Sequence, residues 1–224
     1  MGILPDKVYN IVFDLLPMVI LFSVVMILIR IITSFYAKEK IVFYREIKTL
    51  IYIIYTFALF KLITTSDFSS YSNNFTLFKE IMRYDVTSSL FYRNVIGNIL
   101  LFIPFGYMIT DMIRVKAGKC NIFIAMLVTI VTSLSTEIIQ MFIGRSFDID
   151  DIFLNLIGGT SGFLLYYIFH FIYRKLPEKF HNNGFKLFCY LGICVIFVIA
   201  FLIFYTMRWL HERQSIHNNR WIWF

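Results

Sequence analysis

Two polar strings interrupt an otherwise apolar chain, and their spacing lets them act together. Glu137 and Gln140 stand three apart; Arg145, Asp148 and Asp151 follow one another at steps of three, and Asn155 comes four after Asp151. Upstream, Arg93 and Asn94 lie close to Asn98, which is four after Asn94. Steps of three and four put side chains on one helix face, so Arg145, Asp148, Asp151 and Asn155 line one stripe if their stretch is helical. Carboxylates, amides and guanidinium groups in this pattern hydrogen bond a polar ligand or pass protons between paired acids. Arg93 and Arg145 set two positive charges against four negative ones from Glu137, Asp148, Asp150 and Asp151. That surplus of carboxylates favours a cationic or divalent-ion-bridged ligand. The competing structural reading is a polar lock, in which the two arginines satisfy Glu137 and Asp148 and hold three helices together.

Other chemistry finds little support. HExxH, GxSxG and Walker sequences are absent. His170, His181, His211 and His217 are poorly placed to serve Ser135 or Ser146 as a base. Asp148-Ile149-Asp150-Asp151 lacks EF-hand spacing. Cys120, Cys189 and Cys194 form no CxxC pair. No cofactor and no resident metal is expected.

The elements that must carry these residues are membrane helices. Of 224 residues, 59% are hydrophobic and 16% charged, against roughly 45–50% and about 25% in ordinary globular domains, and the mean hydropathy is +0.73. Disorder and a disulfide scaffold are excluded. A bilayer core requires about 20 apolar residues per helix, and six runs are candidates, over residues 8–32, 50–64, 94–113, 122–143, 152–173 and 185–207, the second of them short. The predicted fold is all-α: a polytopic transmembrane bundle of about six helices forming a single membrane domain over residues 1–224. Leu77, Phe78, Ile81 and Met82 recur at helical spacing and predict a short amphipathic segment in an outer loop. A net charge of +7 raises nucleic acid as a partner, but that requires a basic face on a soluble fold; membrane lipids are the expected partners and nucleic acid is not.

Successive helices alternate direction, so the start of the third, the end of the fourth and the start of the fifth share one membrane face. Lys38, Lys40, Arg45 and Lys48, then Arg114, Lys116 and Lys119, then Arg174, Lys175, Lys179 and Lys186 mark the loops that resist translocation. The polar cluster therefore faces outward. Pro104 is expected to kink the third helix, and Gly158 and Gly162 form a GxxxG pair suited to close helix packing. Asn74-Phe75-Thr76 matches a glycosylation sequon with no other feature behind it.

At these residues the chain resembles the VanZ-like family of integral membrane proteins. The resemblance rests on Asn94-x3-Asn98-Ile99-Leu100-Leu101-Phe102-Ile103-Pro104-Phe105-Gly106 and on Glu137-x2-Gln140-x4-Arg145-x2-Asp148-x2-Asp151-x3-Asn155-x2-Gly158-x3-Gly162. Asn74-Phe75-Thr76-Leu77-Phe78-Lys79 is similar to the family's Asn-Leu-x-Pro-Phe segment, with Leu77 where proline is expected. A family core over residues 74–173 would then carry added helices at 8–32, 50–64 and 185–207. The resemblance implies a protein of the bacterial cytoplasmic membrane linked to low-level resistance to teicoplanin and related lipoglycopeptides. Under the leading, non-enzymatic reading, Arg93, Asn94, Asn98, Glu137, Gln140, Arg145, Asp148, Asp151 and Asn155 bind an envelope ligand or the drug. Pro104, Gly106, Gly158 and Gly162 shape the helices. The alternative is an enzyme acting on a polyprenyl-linked wall precursor, with Asp148 and Asp151 as metal or acid/base groups.

Overall fold

The computed structural model describes residues 43–64, 73–186 and 189–192, with single positions at 17, 20, 21, 24, 25, 27 and 28. Most of the predicted helices 8–32 and 185–207 lies outside the described residues. The chain divides into two compact units, residues 1–65 with 176–198 and residues 66–175 with 199–224.

In the first unit, helix α1 (Phe43–Thr64) begins well before the apolar run at Leu50 and takes in Arg45, Glu46 and Lys48. Lys48 is buried, with its ammonium 5.4 Å from the Tyr44 ring centre and 6.0 Å from that of Tyr52. Those rings stand four residues to either side, and their faces offset part of the desolvation of the cation. Tyr52 also meets the Tyr190 ring at 5.8 Å.

The second unit is helical throughout its described elements, apart from one isolated parallel bridge between Asn74 and Asp148. Short helices α2 (Lys79–Arg83) and α3 (Ser89–Phe91) lead through a π-turn (Tyr92–Ile96) into α4 (Gly97–Ala117); α5 (Ile122–Phe142) and α6 (Ile149–Lys175) follow. The amphipathic segment expected in the outer loop is α2, with Met82 81% exposed. Three helices among the described residues are long and apolar enough to cross a membrane: Asn94–Ala117, Ile122–Phe142 and Ile149–Lys175. Helix α4 runs through Pro104 and ends at Gly118, which adopts φ 76°, a left-handed conformation that glycine enters without a Cβ penalty. Asn121 restarts the helix by accepting the Phe123 N–H at 3.2 Å.

Helix α6 is central and packs against both α4 and α5. Lipid tails are as apolar as leucine, so helices associate in a membrane mainly through close packing and hydrogen bonds. Small residues make the close packing possible here. A Cβ at Gly106 would strike the Gly159 backbone, one at Gly158 the Ile99 carbonyl, and one at Gly162 the Ile103 carbonyl and the Tyr107 amide. The GxxxG pair thus packs closely as its spacing predicts, and Gly159 and Gly106 extend the seam. The outer face of α5 exposes Phe123, Leu127, Val131, Leu134, Ile138 and Met141, an apolar stripe suited to lipid.

Candidate functional site

The buried face of α5 is polar: Thr129, Ser133, Thr136, Glu137 and Gln140 all point inward. Polar groups at membrane depth require partners, and the start of α6 supplies them. Asn155 Nδ2 donates to Ser133 Oγ at 2.8 Å, and Asn98 Nδ2 on α4 donates to Asp151 Oδ1 at 2.6 Å. Glu137, 2% exposed, accepts the Asp148 backbone N–H on Oε2 at 2.9 Å. With the Gln140 amide oriented to suit its neighbours, its nitrogen donates to Glu137 Oε1 at 3.0 Å and its oxygen accepts from Arg145 at 2.8 Å. Both Glu137 oxygens are therefore engaged. Three helices meet in one hydrogen-bonded network.

A clasp from the preceding loop closes over this network. Asn74 N–H donates to the Phe147 carbonyl at 2.8 Å, and Ile149 N–H donates to the Asn74 carbonyl at 3.1 Å. Asn74 Nδ2 donates to Asp148 Oδ1 at 2.9 Å, an oxygen that also accepts the Asp150 N–H at 2.9 Å. Asp150, 1% exposed, takes three backbone donors from the start of α2. Its Oδ1 accepts from Phe78, and its Oδ2 from Glu80 at 2.8 Å and Ile81 at 3.2 Å. A carboxylate at a helix start satisfies otherwise unpaired N–H groups, and here it comes from another part of the chain. Burial, opposed by the Asp150 amide and the Asn74 side chain, raises the Asp148 carboxyl above the usual aspartate range.

The structure gathers Asn98, Glu137, Gln140, Arg145, Asp148, Asp151 and Asn155 as the spacing suggests, with two corrections. Residues 145–147 are not helical and α6 starts at Ile149, so the expected single stripe holds only for Asp151 and Asn155; Arg145 and Asp148 come from the connection. Asn94 turns elsewhere and donates to the Tyr84 hydroxyl at 2.8 Å, because the π-turn alters its register relative to Asn98. The Arg93 side chain lies outside the described residues. The sequon reading of Asn74 does not fit a side chain 3% exposed whose amide binds Asp148. The spacing pattern missed Asn74, Ser133 and the clasping role of Asp150; the similarity of residues 74–79 to a family segment was the one signal for the first.

Among the described residues some acceptors remain open. Asp148 takes both of its hydrogen bonds on Oδ1; Asp151 receives a single one, on Oδ1, and is half-buried. Asn155 Oδ1 is buried with no partner among the described residues. The clasping segment, held to Asp148 and Asp150, carries an apolar lip: Phe75 stacks on Phe147 at 5.3 Å, Phe78 meets Phe153 edge-on at 5.2 Å, and Phe75, Leu77, Phe78 and Met82 are exposed. A family model described as VanZ/LLP1 matches residues 47–170. It begins within α1, ahead of the core expected from residue 74. No curated protein and no solved structure matches the chain.

Proposed function

The chain belongs to the VanZ/LLP1 family and carries three helices fit to cross a membrane, and from that premise we propose that it is an envelope membrane protein whose outward-facing polar site binds a head group of an envelope ligand or of a lipoglycopeptide, giving low-level resistance to teicoplanin. The observation that carries this reading is Asp151, a carboxylate on α6 with one oxygen held by Asn98 and the other without a partner among the described residues, beside Glu137, whose two oxygens are both engaged. A structural lock requires no open acceptor. The apolar lip of Phe75, Leu77, Phe78 and Met82 supports an amphiphilic ligand, whose tail would lie against the lip while its head group donates to Asp151.

Asp151→Asn tests the proposal, because it keeps an oxygen for Asn98 and removes the charge. At matched membrane levels, cells carrying the wild-type protein should tolerate more teicoplanin than cells carrying the variant. Equal protection by both would show that the carboxylate is not the site, and no protection by the wild type would remove the resistance role. Metal-dependent changes in extracted precursor lipids, lost in Asp151→Asn, would favour the enzyme reading instead.

A further inference from the structure

A second polar cluster sits at the other end of α4 and α6, and the proposed function does not use it. Arg114, in the last turn of α4, brings NH2 to 2.7 Å from His170 Nε2 on α6. Its guanidinium also lies 5.7 Å from the Tyr166 ring centre and 5.6 Å from that of Tyr167. The Tyr166 hydroxyl reaches both Arg114 and buried Asp111, while Tyr167 donates to the Cys120 carbonyl at 2.7 Å. The Tyr166 and His170 rings are parallel, with their centres 6.2 Å apart.

Two donors in this cluster lack acceptors. Arg114 NH1 is buried with no hydrogen-bond partner among the described residues. A guanidinium only donates, so His170 Nε2 must accept and the ring proton sits on Nδ1, for which the described residues provide no acceptor. The C-terminal dipole of α4 favours a cation at this position, which accounts for the arginine but leaves NH1 unsatisfied. Within this unit the neighbouring stretches of chain carry Lys116, Lys119, Arg174 and Lys175, against Asp111.

We infer that Arg114 and His170 form a second site, which takes a phosphate group at the membrane boundary opposite the Glu137–Asp151 network. A guanidinium fork with a free arm matches the oxygens of a phosphate. Arg114 lies three residues before the end of α4, about 4.5 Å along the axis, the level at which lipid phosphates meet a helix end. The glycine seam lies between this site and the Glu137–Asp151 network along α4 and α6.

The phosphate can belong to a lipid or to a soluble ion, and the test has an arm for each. The full chain is reconstituted in phosphatidylcholine containing a minor fraction of phosphatidic acid, and the lipids retained after washing are measured by native mass spectrometry, with and without inorganic phosphate. Phosphatidic acid should be retained in preference to phosphatidylcholine. Arg114→Gln should reduce that preference by about tenfold, the scale of one lost charge-assisted hydrogen bond, and Lys79→Gln, which removes an exposed positive charge at the start of α2, should leave it unchanged. Saturable binding of inorganic phosphate without lipid preference would also support the site and assign its source to the soluble ion. Wild-type protein that retains both lipids equally and binds no inorganic phosphate would overturn the proposal, as would a preference untouched in Arg114→Gln. The wild-type comparison stands even if that variant fails to fold.

Discussion

Asp148 and Asp150 are two residues apart, yet their carboxylates have different surroundings and respond differently to change. Asp148 is held above the ordinary aspartate range by burial, so its protonated form is favoured in the folded chain. The stability it contributes is complete below the ordinary value of about 4 and is lost as pH rises through the raised one. Asp148→Asn keeps an oxygen for Asn74 and the Asp150 amide, and should melt progressively higher than the wild type as pH rises from acid to neutral. A wild-type advantage that grows with pH would contradict this. For Asp150 the hydrogen bonds decide the response, since three backbone donors depend on it. Each donor left unsatisfied costs about 1–3 kcal/mol, less where water can replace the acceptor. Asp150→Ala should therefore free the loop before α2, and amide exchange over residues 76–83 should accelerate while α4 to α6 stay protected. Unchanged exchange there would mean the clasp carries no energy. The sequence displayed both aspartates as one acidic run, because charge is visible in a string of letters and the backbone amides that meet it are not.

Among the elements, α5 was legible almost to the residue: the predicted run 122–143 is observed as Ile122–Phe142, bounded by Asn121 and the turn at Gly144. Helices α4 and α6 extend past the predicted 94–113 and 152–173, to Ala117 and over Ile149–Lys175. The apolar runs end where charges cluster, whereas the helix continues through Arg114 and Lys116, or starts on Asp150 and Asp151. Helix α1 repeats this, with Lys48 kept inside by two tyrosines. The GxxxG spacing pointed to close packing, but its partner surface around Gly106 lies in an earlier helix and carries no local signal. A Cβ at Gly106 meets the Gly159 backbone, which cannot yield as a flexible side chain would. Gly106→Ala should cost about 1–3 kcal/mol, the range of overpacked cores. Gly118→Asn serves as the control: nothing lies within 4 Å of its Cβ position, and asparagine tolerates φ 76°, so the loss should be a fraction of that. Melting of the two purified variants compares them directly, and equal losses would show that the seam is not tight.

For the whole molecule, the alternation of basic loops predicts Ser146 on the outer side and Lys116 on the inner side. In a background lacking the three native cysteines, a single cysteine replacing Ser146 should react with an impermeant thiol reagent in intact cells, and one replacing Lys116 should not. The reverse pattern would place the polar site in the cytoplasm. The clasp also sets an order of events during synthesis. Phe78 and Asp150 are 72 residues apart, a distance the ribosome covers in roughly 4–14 s at about 5–20 residues per second. Throughout that interval the loop before α2 has been made and its acceptor has not, while α4 and α5 are being inserted. The loop before α2 is therefore the last part of this unit to settle, and its docking reports that α6 has begun on the same side of the bilayer as that loop.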